Sequence, residues 1–239
     1  MIKISVIVPV YNMAGTISKT LNSILEQNYE NLELIVVDGG SNDGTLDRIN
    51  ERKNNINTII SEPDNGQYDA INKGLKLSTG EVVSWLNADD IYMPWTFSYI
   101  NNIFSKWTDI NWVYGVPAYL NESGDLTNIY RVSSKPSSYI KAGAFRKNVF
   151  GYLQQESMFF RKKLYEDVGG LNLNLKLAAD FELWTKFAEK STLVSLSLPV
   201  AAFRKSKNNR SKLNENTYLL EVNKSILNKR SFILMEYIS

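Results

Sequence analysis

Asn87-Ala88-Asp89-Asp90 follows directly on the apolar run Glu81–Leu86, so a pair of carboxylates stands at the end of a hydrophobic segment. Carboxylates and a diphosphate repel one another. A divalent cation between them turns the repulsion into a bridge, and all-oxygen ligation suits Mg2+ or Mn2+. Taken alone, an Asp-Asp pair reads more often as a solvated turn capping the next helix. Asp38-Gly39-Gly40-Ser41-Asn42-Asp43-Gly44-Thr45 joins glycines, which let a backbone approach a ligand closely, to Asp38, an acceptor suited to a base imide or a ribose hydroxyl. Turn geometry and helix capping by Asp43 or Thr45 explain the same stretch equally well. The stretch Glu62 to Gly74, which contains Asp69, reads as a loop entering a helix, whose N-terminus favours anions. Its Lys73 faces a phosphate on one reading and is a surface lysine on the plainer one. Farther along, Asp180 in Ala178-Ala179-Asp180-Phe181-Glu182-Leu183-Trp184 sits at a helix entrance beside aromatics, where desolvation strengthens a base. A simple N-cap role is compatible with that chemistry. Trp184, like Trp95, Trp107 and Trp112, reads as core more readily than as a sugar platform.

The elements that must position these residues alternate over the first 115. Lys3–Val10, Leu32–Asp38, Asn57–Ser61 and Glu81–Leu86 read as strands, and Thr16–Gln27, Leu46–Arg52 and Tyr68–Leu77 as helices. Strands separated by single helices pair in parallel through right-handed crossovers, which predicts an open doubly wound α/β sheet. Ligands bind such sheets at the carboxyl ends of the strands, where Tyr11-Asn12, Asp38 to Asp43 and Asn87 to Asp90 all fall. Beyond residue 115 the rhythm changes. A hairpin is expected over Gly115–Val132, a polar connection over Ser134–Gly151, a strand at Ser157–Phe160 and a helix at Asp180–Glu189. Thr192–Phe203 is strand material broken by Pro199, Arg204–Lys212 a basic loop and Leu213–Leu227 a helix. Residues 1–115 and 116–212 read as two halves of one domain, with 213–239 as a C-terminal helical segment.

Composition removes several classes of function. With 44% hydrophobic and 22% charged residues the 239-residue chain is globular, and a net charge of +2 gives no general argument for nucleic acid. Cysteine and histidine are both absent, so disulfides, thiolate catalysis and imidazole triads are excluded. Acid–base and metal chemistry must run on carboxylates, Lys, Tyr or water. The first apolar run is too short for a signal peptide, and no run is long enough to span a bilayer. A cytoplasmic location is expected. The C-terminal mixture of Lys224, Lys229, Arg230 and Phe232-Ile233-Leu234 suits a docking helix or homodimer contact, with peripheral contact at the inner membrane face as the minority reading. No G-x-G-x-x-G follows the first strand, which excludes a dinucleotide-binding dehydrogenase. Tyr11 to Gly15 has no basic residue, which speaks against a nucleotidyltransferase.

Together, Val8-Pro9-Val10-Tyr11-Asn12, Val36 to Thr45, Pro63-Asp64-Asn65-Gly66, Leu86 to Asp90 and Ala179 to Trp184 resemble glycosyltransferase family 2, in order and spacing from residue 3 to about 204. Each motif alone is weak, and five in order are strong. The resemblance implies the GT-A fold with a mixed acceptor-side region, and inverting, non-processive transfer from a nucleotide-sugar, commonly a UDP-sugar, with Mn2+ or Mg2+. The acceptor it implies is a saccharide or lipid-linked saccharide in cell-surface glycan assembly. Pro9 and Tyr11 would border the base, Asp38 contact it, and Asp69 and Asn87 belong to the donor side. Asp89 would hold the metal and Asp180 act as base, with Gln155, Glu156 and Trp184 on the acceptor side and Arg204 in a flap over the diphosphate. Ile71 stands where many relatives carry Arg, Asn87 where many carry Asp, and no histidine occupies the flap. A non-catalytic relative that binds nucleotide sugar or a partner is the alternative.

Overall fold

The computed structural model describes residues 1–147, 149–206 and 214–236. Its central sheet has seven strands. β1 (Ile4–Val10), β2 (Leu32–Asp38), β3 (Thr58–Ser61) and β4 (Val82–Trp85) run parallel in the order β4-β1-β2-β3. β1 is buried at every position because the sheet is covered on both faces, and so its sequence is a continuous β-branched run without alternation. Ile4, Val6, Val8 and Val10 pack with Ile17, Leu21 and Ile24 of helix α1 (Ile17–Leu25), while Ile7 packs on the other face with Ile71 and Leu75 of α3 (Gln67–Leu77). Helix α2 (Thr45–Asn50) links β2 to β3. A Cβ at Gly74 would lie 2.5 Å from Ile7 Cγ2, so α3 crosses β1 at a distance only glycine permits.

The expected change of rhythm is a change of sheet. Beside β4 lies β9 (Met158–Arg161), antiparallel to both β4 and β6 (Trp112–Tyr114), and β10 (Val194–Ser195) closes that edge parallel to β6. A smaller sheet, β5-β11-β7-β8, contains β5 (Ile91–Tyr92), β7 (Ala118–Leu120), β8 (Leu126–Ile129) and β11 (Ala201–Arg204). β7 and β8 form the expected hairpin around Asn121, whose Oδ1 accepts the Gly124 and Asp125 N–H groups. The break at Pro199 is the point at which the chain leaves the large sheet for the small one.

Among the described α-helices and strands, five were not anticipated: β5, α4 (Thr96–Lys106), β6, α5 (Ser137–Lys141) and α6 (Lys162–Asp167). α4 buries Phe97, Ile100 and Phe104 on the α1 face. α7 (Ala179–Lys190) is the expected helix, and its Leu183, Trp184 and Phe187 fill the opposite layer. The C-terminal helix α8 (Glu215–Glu236) extends nine residues beyond the expected end at Leu227 and packs Tyr218 and Val222 against Ala178 and Phe181. Among the described residues no helix is long and apolar enough to cross a membrane. The apolar C-terminal side chains and the basic loop from 207 to 213, both expected to make contacts, lie outside the described side chains.

Candidate active site

The ends of β1, β2 and β4 converge as the sheet order requires. The turn after β1 holds Asn12 in the left-handed region at φ 52° and is laced to the turn after β2. Asn12 N–H donates to Ser41 Oγ at 2.8 Å, Met13 N–H to Thr45 Oγ1 at 2.7 Å and Ala14 N–H to Asp43 Oδ2 at 3.1 Å. Tyr11 projects from this platform with 58% of its surface exposed, free to stack on a planar ligand. Pro9 is buried within β1, opposite Val37.

Asp38 departs from expectation. It is 0% exposed, and its oxygens accept from Ser41 N–H at 3.2 Å, from Ser61 Oγ at 2.7 Å and from Ser41 Oγ. In this conformation it presents no surface to a base and instead fixes the Gly39–Ser41 turn. The sequence pattern names an acceptor at that position but does not show that two serines saturate it. Gly39 lets the turn approach the Asp64 side chain closely, since a Cβ there would lie 2.7 Å from Asp64 Oδ2. Asp64 in turn accepts the Gly66 N–H at the entrance to α3. Asp69 accepts the Asn65 N–H at 3.1 Å and pairs with Lys73 at 3.5 Å, while Lys73 also pairs with Glu62 at 2.9 Å. The Asn65 bond and Lys73 together hold the Asp69 carboxyl below its usual range. Asp69 and Lys73 thus brace the third motif. Ile71 is fully buried, so that position offers no replacement for the arginine of relatives.

After β4 the acids divide their roles. Asp90 is fully buried and accepts the Arg204 N–H at 2.8 Å and Asn87 Nδ2 at 3.2 Å. Burial, with the charges of Asp89 and Glu156, pushes its pKa well above the carboxylate range. Asn87 Oδ1 accepts Gln67 Nε2 at 2.5 Å, which ties the turn to the start of α3. Asp89 is half-buried, and burial raises its pKa despite the nearby Arg204 cation. Arg204 is not a flap residue. It ends β11 with 4% exposure, its Nε donates to the Asp89 carbonyl at 2.7 Å, and Nη1 reaches the Asn121 and Glu122 carbonyls. A guanidinium buried among main-chain carbonyls shapes the turn and does not swing over a ligand.

The second half contributes Gln155, Glu156 and Asp180. Gln155 Nε2 donates to the Trp85 carbonyl at 2.6 Å, which joins the 155–157 turn to the end of β4. Glu156 is 2% exposed, and Oε1 has no hydrogen-bond partner among the described residues. Burial, with the charges of Asp89 and Asp180, pushes its pKa up to about 8. Glu156 therefore lies within electrostatic reach of both Asp89 and Asp180. Asp180 opens α7, and its Oδ1 accepts its neighbour Phe181 N–H at 2.8 Å and the Tyr68 hydroxyl at 2.9 Å. The same hydroxyl lies 3.0 Å from the Leu177 carbonyl, so one proton is shared between two acceptors. Burial raises the Asp180 pKa against these bonds. Tyr68 was not anticipated, although it stands within the third motif. Trp184 is 2% exposed and stacks on Trp85 at 5.5 Å, so it backs the site and offers no face to a sugar.

The site thus combines a laced platform after β1 and β2, one half-buried acid after β4 and a second at a helix entrance. A sequence model described as Glycosyl transferase family 2 matches residues 5–169. The chain belongs to that family. It is 30% identical over 189 residues to an uncharacterized glycosyltransferase of Rickettsia conorii (strain ATCC VR-613 / Malish 7), covering 77% of this chain and 31% of the relative. The chain therefore spans about a third of that relative's length. In fold it is similar to S. aureus TarS 1-349 in complex with UDP-GlcNAc (TM-score 0.69, 20% identity, 88% of this chain and 60% of that one). It is likewise similar to the mannosyltransferase PcManGT of Pyrobaculum calidifontis in complex with GDP-Man and Mn2+ (TM-score 0.65, 22% identity, 89% of this chain and 59% of that one). These likenesses identify the GT-A fold.

Among the described residues of this chain, no three carboxylates gather as a ready-made metal cage. The donor set still fits a hard cation in one way. Asp89 is a half-buried carboxylate with a raised pKa, a group that a cation would stabilise, and an Mg2+ bound by one or two carboxylates takes its other oxygens from phosphates and water.

Proposed function

We propose that this chain transfers one sugar, with inversion, from a nucleotide-diphosphate donor, a UDP-sugar, to a hydroxyl of a saccharide or lipid-linked acceptor in cell-surface glycan assembly. The observation that carries this reading is the placement of Asp180. It belongs to the second half of the chain, yet it is held by Tyr68 of the donor half and lies within electrostatic reach of Glu156, which in turn feels Asp89.

In the proposed reaction Asp180 takes the proton of the acceptor hydroxyl as that oxygen attacks the anomeric carbon from the face opposite the leaving group. The bond from the anomeric carbon to the diphosphate oxygen breaks, and the diphosphate departs with the electron pair. A single in-line displacement inverts the configuration. Tyr68 and the Phe181 N–H both engage Oδ1 of Asp180, which leaves Oδ2 to face the acceptor. Tyr11 stacks on the base. Asp89 would hold the Mn2+ or Mg2+, which supplies charge neutralisation for the departing diphosphate. Supporting this reading from outside the chain, the TarS structure is a complex with UDP-GlcNAc and the PcManGT structure a complex with GDP-Man and Mn2+.

Asp180→Asn removes the base while keeping the hydrogen bond from Tyr68. Transfer should fall by at least about 100-fold, the scale of general-base catalysis, with UDP affinity nearly intact. Turnover at the wild-type rate in that variant would defeat the assignment.

A further inference from the structure

The loop that delivers Asp180 is held from outside its own neighbourhood. Three consecutive main-chain N–H groups, those of Lys176, Leu177 and Ala178, point at one carboxylate, that of Glu221 on α8. Oε1 accepts from Lys176 at 2.8 Å, and Oε2 accepts from Leu177 at 2.8 Å and from Ala178 at 3.0 Å. Ala178 immediately precedes α7, and the Leu177 carbonyl shares the Tyr68 proton with Asp180. One carboxylate on the last helix therefore fixes the peptide planes directly before the proposed base.

The rest of α8 is built to keep that carboxylate in place. Val222 is fully buried, and Tyr218, Leu219 and Ile226 join it in a separate apolar cluster with Leu177, Ala178 and Phe181. These four α8 residues recur at helical spacing, so one face of the helix rests on the start of α7. At Gly143, φ +68°, an added Cβ would lie 2.9 Å from Ile226 Cγ1, so the other side of the seat is also closely fitted. The region matched by the family model ends at residue 169, before Asp180 and well before α8.

We propose that Glu221 is a positioning residue for the transfer reaction: α8 clamps the 176–178 loop so that Asp180 meets the acceptor hydroxyl in register. This inference rests on Asp180 being the base. Three successive N–H groups converging on one anion form a rigid nest, because each bond is charge-assisted. Loss of the anion leaves the loop to rearrange, and displacement of a reacting group by about 1 Å costs roughly 100-fold in rate. The donor platform is built on β1, β2 and α3, which Glu221 does not touch, so donor binding should not change.

The test compares Glu221→Gln, Glu221→Ala and Glu221→Asp in the full chain, with Asp180→Asn alongside and thermal unfolding recorded for each. The expected result is a 10- to 100-fold fall in kcat for the Gln and Ala variants, with UDP affinity within twofold of wild type and partial recovery of kcat in Glu221→Asp. Wild-type kcat in Glu221→Ala beside an inactive Asp180→Asn would overturn the role of Glu221 and leave the base standing. Loss of UDP affinity and kcat in parallel, without recovery in Glu221→Asp, would reduce Glu221 to a fold-stabilising residue and overturn the proposal. Full activity of Asp180→Asn would remove both assignments together.

Discussion

Arg204 Nε donates to the Asp89 carbonyl at 2.7 Å, and this bond joins the end of a strand in the small sheet to the acidic turn at the end of a strand in the large one. Arg204 Nη1 continues to the Asn121 and Glu122 carbonyls in the hairpin turn, so one planar group ties three segments. Arg204→Ala removes these ties to part-buried carbonyls together with a buried side chain, and should cost about 2–4 kcal/mol of stability. Arg204→Lys should recover little of it, because an ammonium cannot span the same fork. Urea denaturation measures both, and a variant as stable as wild type would show that the tie is dispensable.

Asp89 offers its carboxylate from that braced turn. Asp89→Ala should weaken UDP binding only when Mn2+ or Mg2+ is present, by roughly tenfold or more. Calorimetric titration of UDP with metal and with chelator makes the comparison. Equal affinity of both proteins in the presence of metal would argue against Asp89 as ligand.

Tyr68 controls the proton chemistry of Asp180. Burial raises the Asp180 pKa, and the Tyr68 hydroxyl opposes that rise by bonding the charged form. In Tyr68→Phe the opposition disappears, the pKa climbs, and the acidic limb of kcat/KM should move to higher pH. The lost bond is worth about 1 kcal/mol, so the limb should move by roughly 0.7 pH unit. A pH–rate profile that does not move would remove Tyr68 from the mechanism.

Glu33 makes stability depend on pH far from the site. Burial opposes its charge, but bonds from Ser5, Thr79 and Lys3 outweigh burial and lower its pKa from 4.5 to about 2. A carboxylate with a depressed folded-state pKa stabilises the fold above its unfolded value, and that contribution is lost as pH falls from about 4.5 toward 2. Glu33→Gln should therefore cost up to ~3 kcal/mol at pH 7. The gap from wild type should close on acidification, as denaturation at several pH values would reveal.

Much of the scaffold was legible along the chain. β1, β2 and β4 are apolar runs buried on both faces, and α1 and α7 carry periodic apolar residues, so local pattern and tertiary environment agree. α4 escaped notice although Phe97, Ile100 and Phe104 keep helical spacing, because a segment rich in Thr, Phe, Tyr, Ile and Asn has weak intrinsic helix propensity and is held by packing. β5 and β10, two residues each, exist only through their partners in register.

For the site, the sequence by itself determined which chemical groups are available and at which strand ends they emerge. Without histidine or cysteine the chemistry rests on carboxylates, and the order of strands and helices places Asp38, Asp89 and the third motif on one edge. Tertiary structure alone decided what each group is free to do. Ser41 and Ser61 close over Asp38, Arg204 spends its donors on backbone carbonyls, Tyr68 holds Asp180, and Glu221 grips the loop before that acid. The physical reason is common to all four. Accessibility and proton affinity depend on which partners the folded chain brings within hydrogen-bond distance, and those partners lie on other elements, where no local pattern records them.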